Sequence, residues 1–400
     1  MNEYTMEIGP MGPIGEHESL IIRATRNCPW NRCLFCSVYK GKKFGYRSVA
    51  EVKKDIDVVK RLEELVDGVS WKMGFKGKVT EQVVWKIIRD HPEVYGKNLE
   101  NQKALATLSN VLNWIVYGKR RCFLQDANSL IIRPKELVEL LKYIKKSFPT
   151  VDFISTYARS KTCAQRSISQ LKELREAGLS WVYVGVESGS DEVLRYMRKG
   201  VSQKEHIEGG QKVIEAGINY AAFVMPGLGG KRLSAVHIRE TIKVLNEIRP
   251  TEVRVRSLAV LKDSPLYERW EKGEFEAPTD AQMVEEIEQL INGIKFDCIF
   301  ETLQLTNVLF NIRDRLSRIK TDLLNKILWY KSLTPLRRAE WELNRYLYNG
   351  YVTYLKQKGR FDEELKKLIQ EAKRSIKNME SDVQKKVELA VFAIKSRGIP

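Results

Sequence analysis

The chain has 400 residues, 43% hydrophobic and 30% charged, with a formal net charge of +17. That length suits one large α/β unit with an appendage, or two domains, and the composition excludes a disordered or fibrous chain. No run approaches the ~18 apolar residues of a membrane span, and the opening "MNEYTMEIGPMGPIGEHESL" carries no basic-then-apolar export pattern, so the expected compartment is the cytoplasm and no membrane partner is expected.

After an N-terminal extension over residues 1–19, "LIIRAT" (20–25) reads as the first strand. The stretch "RNCPWNRCLFCSVYKG" (26–41) follows it and holds Cys28, Cys33 and Cys36, three of the chain's six cysteines. "VAEVKKDIDVVKRLEELV" has apolar residues at helical spacing. From about 68 to 120 extra helical sequence precedes the second strand, "RCFLQ" (121–125), and is read as an insertion. Four further strand runs follow: "VDFISTYA" (151–158), "WVYVGVE" (181–187), "NYAAFVM" (219–225) and "EVRVRSLAVL" (252–261). Amphipathic helices lie between them, and two end at a glycine placed to cap the helix. Six strand-then-helix units favour a parallel sheet, either an open partial barrel or a doubly wound sheet. The expected core therefore spans 20–270, and 271–400 reads as an α-helical region.

That C-terminal region is basic: residues 301–400 hold 21 Lys and Arg against 12 Asp and Glu. Such a segment can bind a polyanion such as RNA. Acids and bases alternate along "EELKKLIQEAKRSIKNMESDVQKKVEL", however, which is the pattern of a solvated helical face. Its apolar faces, "LLNKILWY" and "VELAVFAI", need cover, and the expectation is a helical lid on the core.

Three thiolates without a neighbouring histidine make a poor structural zinc site, which wants four protein ligands. An iron–sulfur cube is normally held by four cysteines. Held by three, it keeps one iron open for another ligand. A non-enzymatic protein whose three cysteines take zinc with an outside ligand is the alternative of a different class. Cys122, Cys163 and Cys298 are scattered singletons and read as buried thiols. "PGLGGK" is no phosphate loop, because Met225 stands where its first glycine belongs and Arg232 follows Lys231.

At these residues the chain resembles the radical S-adenosylmethionine (SAM) superfamily, whose hallmark is three cysteines, usually C-x3-C-x2-C, after the first strand of a partial (β/α)6 barrel. The spacing here is C-x4-C-x2-C, and an aromatic residue, Phe35, precedes the third cysteine as is typical. "WVYVGVESGSDEVLRYMRKG" is similar to the fourth unit of the branch with methylthiotransferases, the Elongator catalytic subunit and coproporphyrinogen dehydrogenase. "FVMPGLGG" is similar to that branch's fifth strand.

The resemblance implies a TIM-like partial barrel and a [4Fe-4S] cluster on Cys28, Cys33 and Cys36. It implies SAM cleaved to a 5′-deoxyadenosyl radical that abstracts hydrogen from substrate, and an electron donor of flavodoxin or ferredoxin type. Phe35 would lie near the adenine, and Glu187 and Ser188 would face SAM. Relatives carry Gly-Gly-Glu at the second strand; here Leu124, Gln125 and Asp126 stand there, so Gln125 and Asp126 are the candidates for SAM's amino group. Ser155 and Arg159 on the third strand are further cofactor candidates, Arg159 for a carboxylate. No residue is assigned a catalytic role. A small-molecule substrate and an oxidoreductase-like reaction are expected first, with an RNA-modifying enzyme as the alternative.

Overall fold

The computed structural model describes residues 4–10, 12, 15–95 and 101–399. Its strands are β1 (Leu20–Arg23), β2 (Thr25–Arg26), β3 (Gly45–Tyr46), β4 (Arg121–Gln125), β5 (Phe153–Ala158), β6 (Leu179–Glu187), β7 (Asn219–Val224), β8 (Glu252–Val255), β9 (Ile299–Glu301) and β10 (Arg313–Arg315). Eight of them follow the order β1-β4-β5-β6-β7-β8-β9-β10, while β2 pairs only with β3. The ladders β1–β4, β4–β5, β5–β6, β7–β8 and β8–β9 are parallel, and β10 returns antiparallel to β9. The order is linear and helices fill the parallel connections, so the fold is the α/β class of a partial barrel. Among the described residues no helix is long and apolar enough to cross a membrane.

All six strand runs expected from sequence form strands of this sheet, 121–125 with the ends expected and the other five with corrected ends. "LIIRAT" is not one strand: Thr25 and Arg26 leave the sheet to pair with Tyr46 and Gly45. The run 252–261 stops at Val255. Beyond it Leu258 and Val260 are buried in a side-chain core, so their apolar character reports packing rather than a ladder. β9 and β10 were not expected, since three residues are too few to show a period.

The chain divides into two compact units. One comprises Met1–Pro29, Gly41–Val184 and Lys212–Tyr220. Its longest helix, Val49–Lys72, starts at a capping box in which Ser48 accepts from the Glu51 N–H and Glu51 accepts from Ser48. Val52, Ile56, Val59, Leu62 and Val66 recur at helical spacing and are fully buried, each contributing roughly 1.5–3 kcal/mol. Helices Glu81–Asp90, Pro92–Tyr95 and Gln102–Tyr117 occupy the stretch read as an insertion; residues 96–100 of it lie outside the described residues. Trp114 packs edge-on against Phe148 at 5.0 Å.

The other unit comprises Trp30–Lys40, Gly185–Gln211 and Ala221–Pro400. Leu34, Val193, Met197, Leu228, Leu258, Val260, Leu266, Phe275 and Met283 form its buried cluster. The last helix, Val383–Ser396, closes on this unit through a Trp270–Phe392 stack at 4.2 Å and a buried Lys395–Asp280 ion pair at 2.8 Å.

Candidate functional site

The first unit fixes the start of the cysteine stretch. β1 ends at Arg23, whose Nε and Nη2 donate to Asp126 Oδ2 at 3.0 and 2.7 Å. Asp126 follows β4 and is fully buried. The same oxygen accepts from the Asn27 backbone N–H at 3.0 Å. Asn27 has φ +62°, a conformation that asparagine tolerates better than most residues. The carboxylate therefore sets the turn immediately before Cys28. Arg23 Nη1 donates to Glu7 at 2.9 Å, and the N–H of Gly9 donates to Gln125 Oε1. The N-terminal segment thus lies along these strand ends.

Ser155 and Arg159 have other local partners. Ser155 Oγ donates to Glu16 Oε1 at 3.1 Å, an oxygen that also accepts from Tyr183 and Arg121. The backbone N–H of Arg159 donates to Asn128 Oδ1 at 3.1 Å.

The second unit fixes the rest of the stretch. Leu34 donates to the Met197 carbonyl at 3.0 Å and accepts from the Leu266 N–H at 2.9 Å, while its side chain enters the core. Phe35 packs on the same core, and Lys199 Nζ lies 5.6 Å from its ring centroid. Lys199 also donates to Glu187 Oε1 at 3.2 Å, so Phe35, Lys199 and Glu187 form one group. Glu187, at the end of β6, has φ +62°. Gly189 is required two residues on, because a Cβ there would lie 2.1 Å from the Glu240 carbonyl oxygen. This packs the turn after β6 onto the helix Ser234–Ile248.

Ser188 Oγ lies 2.8 Å from His237 Nδ1, and His237 Nε2 lies 3.1 Å from the Met225 carbonyl oxygen. A carbonyl only accepts, so Nε2 carries the proton and Nδ1 accepts from the Ser188 hydroxyl. Ser188 Oγ in turn accepts from the Ser190 N–H at 3.1 Å. Glu286 stands 3.7 Å from His237 Nε2 and accepts from the Gly227 N–H at 2.6 Å and from Ser234. His237, Lys199, Arg23, Asn27 and Glu16 were all missed from sequence.

Burial pushes His237 down to about 4 and Glu286 up to about 7. An imidazole held below its ordinary 6.5 destabilises the fold as pH falls from 6.5 towards 4. A carboxyl held above its ordinary 4.5 destabilises it as pH rises from 4.5 to 7. The two slopes oppose each other across most of that range. Glu286→Gln removes the second and should expose the first: the variant loses roughly 3 kcal/mol between pH 6.5 and 4, where the parent stays flatter. Urea unfolding at pH 6.5, 5.5 and 4.5 measures this.

All six cysteines are thiols outside any disulfide, and Cys28, Cys33 and Cys36 are half-buried while the other three are buried. Among the described residues no three Cys, His, Asp or Glu side chains are grouped closely enough to hold a metal ion. The three cysteines share one short stretch without converging. The donor chemistry nevertheless fits a cluster held by three thiolates: three thiols in nine residues, in a segment bent at the left-handed Asn27 and Asn31.

Residues 115–245 match the family model described as "Radical SAM superfamily", a segment covering β4 to β7 and the helix after it but not the cysteine stretch. A "tRNA uridine(34) acetyltransferase" of Methanocaldococcus infernus is 26% identical over 130 residues, which is 32% of this chain and 24% of that protein. "Elongator complex protein 3" of Mus musculus is 23% identical over 155 residues, 38% of this chain and 28% of that protein. The matched stretches thus span about a quarter of these curated relatives. Among solved structures, methylornithine synthase (PylB) superposes with a TM-score of 0.41 at 14% identity, covering 77% of this chain and 69% of that one. The archaeal Methanocaldococcus infernus Elp3 lacking residues 1-46 gives 0.40 at 15%, covering 57% and 62%. Residues 115–245 thus carry a segment similar to the radical SAM superfamily, whose enzymes work with a [4Fe-4S] cluster and SAM.

Proposed function

We propose that this chain is a radical SAM enzyme whose cluster is held by Cys28, Cys33 and Cys36. The observation that carries this is the half-buried set of three thiols on the stretch that follows β1, in a chain with a radical SAM segment. When bound, the cluster and SAM supply one-electron cleavage of a C–S bond and hydrogen abstraction from the substrate.

The chain's own residues bind, orient and exclude water. Phe35 offers a flat apolar surface beside Glu187, while buried Asp126, engaged by Arg23 and Asn27, and buried Gln125, engaged by Gly9, hold the end of β4 and the turn before Cys28. The hydroxyl of Ser188, its proton committed to His237, acts toward a ligand as an acceptor. Arg159 supplies a cation for a carboxylate. Ser155 gives its only proton to Glu16, so we assign it to the wall that holds Glu16 rather than to SAM contact.

For the substrate we favour RNA over a small molecule. Two observations support this: one of the curated relatives named above is a tRNA enzyme by name, and the net charge of +17 suits a polyanion. The acetyl transfer in that name is not carried over, because the similarity spans about a quarter of that protein's length. Formation of 5′-deoxyadenosine by anaerobically reconstituted protein tests the whole reading. Turnover should be slow alone and rise at least tenfold with bulk tRNA, and stimulation by a small-molecule extract but not by tRNA would reverse the substrate assignment.

A further inference from the structure

Within the second unit, the residues between the first two cysteines open onto a cleft of about 480 Å³ lined by Trp30, Arg32, Leu194, Arg195, Arg198, Gly200 and Val201. Arg32, Arg195 and Arg198 are all exposed, and none forms an ion pair with a carboxylate among the described residues. Three guanidinium groups around one cleft that no acidic residue lines repel one another. A surface that keeps them so is built to meet an anion.

Trp30 holds the arrangement in place. Its Nε1–H donates to the Arg198 carbonyl at 2.7 Å. One part of the ring lies so close to Gly200 that a Cβ there would be 2.3 Å from Cε2 and Cζ2. Arg32 Cζ stands 5.1 Å from the ring centroid, a cation–π contact made by an exposed residue. The ring is thereby occupied by Gly200 and Arg32, and it offers little of the open aromatic face on which single-stranded nucleic acid stacks its bases. The cleft presents charge and hydrogen-bond donors in a form suited to carboxylates on a folded surface.

Its position supplies the rest of the argument. Arg32 is bonded directly to Cys33, and Trp30 and Arg32 lie in the chain between Cys28 and Cys33. We propose that the Arg32–Arg195–Arg198 cleft is the docking surface for a small acidic one-electron carrier protein. This rests on the radical SAM reading above. The carrier, reduced beforehand, gives up one electron and is oxidised by one; the cluster on the adjoining cysteines is reduced by one, and no proton or bond changes hands.

The experiment uses the reconstituted full chain and two reductants, dithionite and reduced flavodoxin. Arg195→Glu combined with Arg198→Gly removes two positive charges and adds a negative one, glycine being chosen because Arg198 has φ +51°. Arg32→Gln removes the third while keeping a side chain over Trp30. Each variant should retain its iron, keep the dithionite-driven rate of SAM cleavage and lose at least tenfold of the flavodoxin-driven rate. Flavodoxin binding, followed by calorimetry, should weaken to match and should weaken in the parent as salt rises. An unchanged flavodoxin-driven rate, or an equal fall with both reductants, overturns the proposal. So does loss of tRNA binding with flavodoxin binding intact, which would assign the cleft to RNA. Absence of dithionite-driven cleavage in the parent would instead overturn the radical reading, and flavodoxin binding would still decide the surface.

Discussion

Alanine at any one of Cys28, Cys33 or Cys36 should abolish stable iron and sulfide binding, from about four of each per chain in the reconstituted parent to near none. A cube already held by only three thiolates cannot lose one and remain anchored. The other three cysteines provide the control. Burial pushes Cys122 far above the ordinary thiol range and raises both Cys163 and Cys298 to about 12, so they stay protonated, and only a thiolate ligates. The triple variant Cys122→Ala, Cys163→Ala, Cys298→Ala should keep its full iron content. It should lose stability through the cavities it creates, by roughly 1–2 kcal/mol per site. Iron and sulfide analysis under anaerobic conditions decides both halves. A full cluster in any single variant of the first set would remove the assignment.

Asp126→Ala should be the most damaging change outside the cysteines. It leaves Arg23, whose side chain is 12% exposed, with one carboxylate partner fewer, and it strips the acceptor from the Asn27 N–H. Removing one partner of a buried ion pair costs roughly 3–5 kcal/mol. The retained Glu7 contact at 2.9 Å places the expected loss near the lower end, about 3 kcal/mol. The turn before Cys28 should loosen at the same time, so reconstituted iron should fall below the parent's. Asp126→Asn keeps an acceptor oxygen and should recover part of the iron but little of the ion-pair energy. Urea unfolding and iron analysis of the two variants separate the charge from the hydrogen bond. If Asp126→Ala matched the parent in both, the carboxylate would have no part in shaping the stretch.

The sequence was most legible where a feature is local and repeated. The helix Val49–Lys72 shows its buried stripe over six turns, and β4 to β7 are short apolar runs set between helices. Gly178 and Gly217, with φ +119° and +78°, end helices where the pattern expected them. Legibility failed at single long-range contacts. His237 sits in "AVHIRETIKVL" as one more residue on the inner face of a helix, and nothing nearby marks Ser188, 49 residues earlier, as its partner. Glu7 and Glu16 fall in a segment read only as an extension, yet they meet Arg23, Arg26, Ser155 and Tyr183. β9 and β10 are held in the sheet by neighbours rather than by their own residues, so propensity carries no sign of them. The three cysteines stand out in the sequence because spacing is a local property.

The contact between Trp30 and Gly200 gives a physical account of the longer gap between the first two cysteines. Four residues stand there, Pro29, Trp30, Asn31 and Arg32, one more than in the usual superfamily pattern. Trp30 leaves the stretch sideways to lie on Gly200, and Asn31, at φ +49°, turns the chain back toward Cys33. Its amide donates to the Tyr39 carbonyl, which ties the return to the far end of the same segment. A side chain at position 200 would collide with the Trp30 ring, so the cysteine spacing and Gly200 should vary together among relatives of this chain.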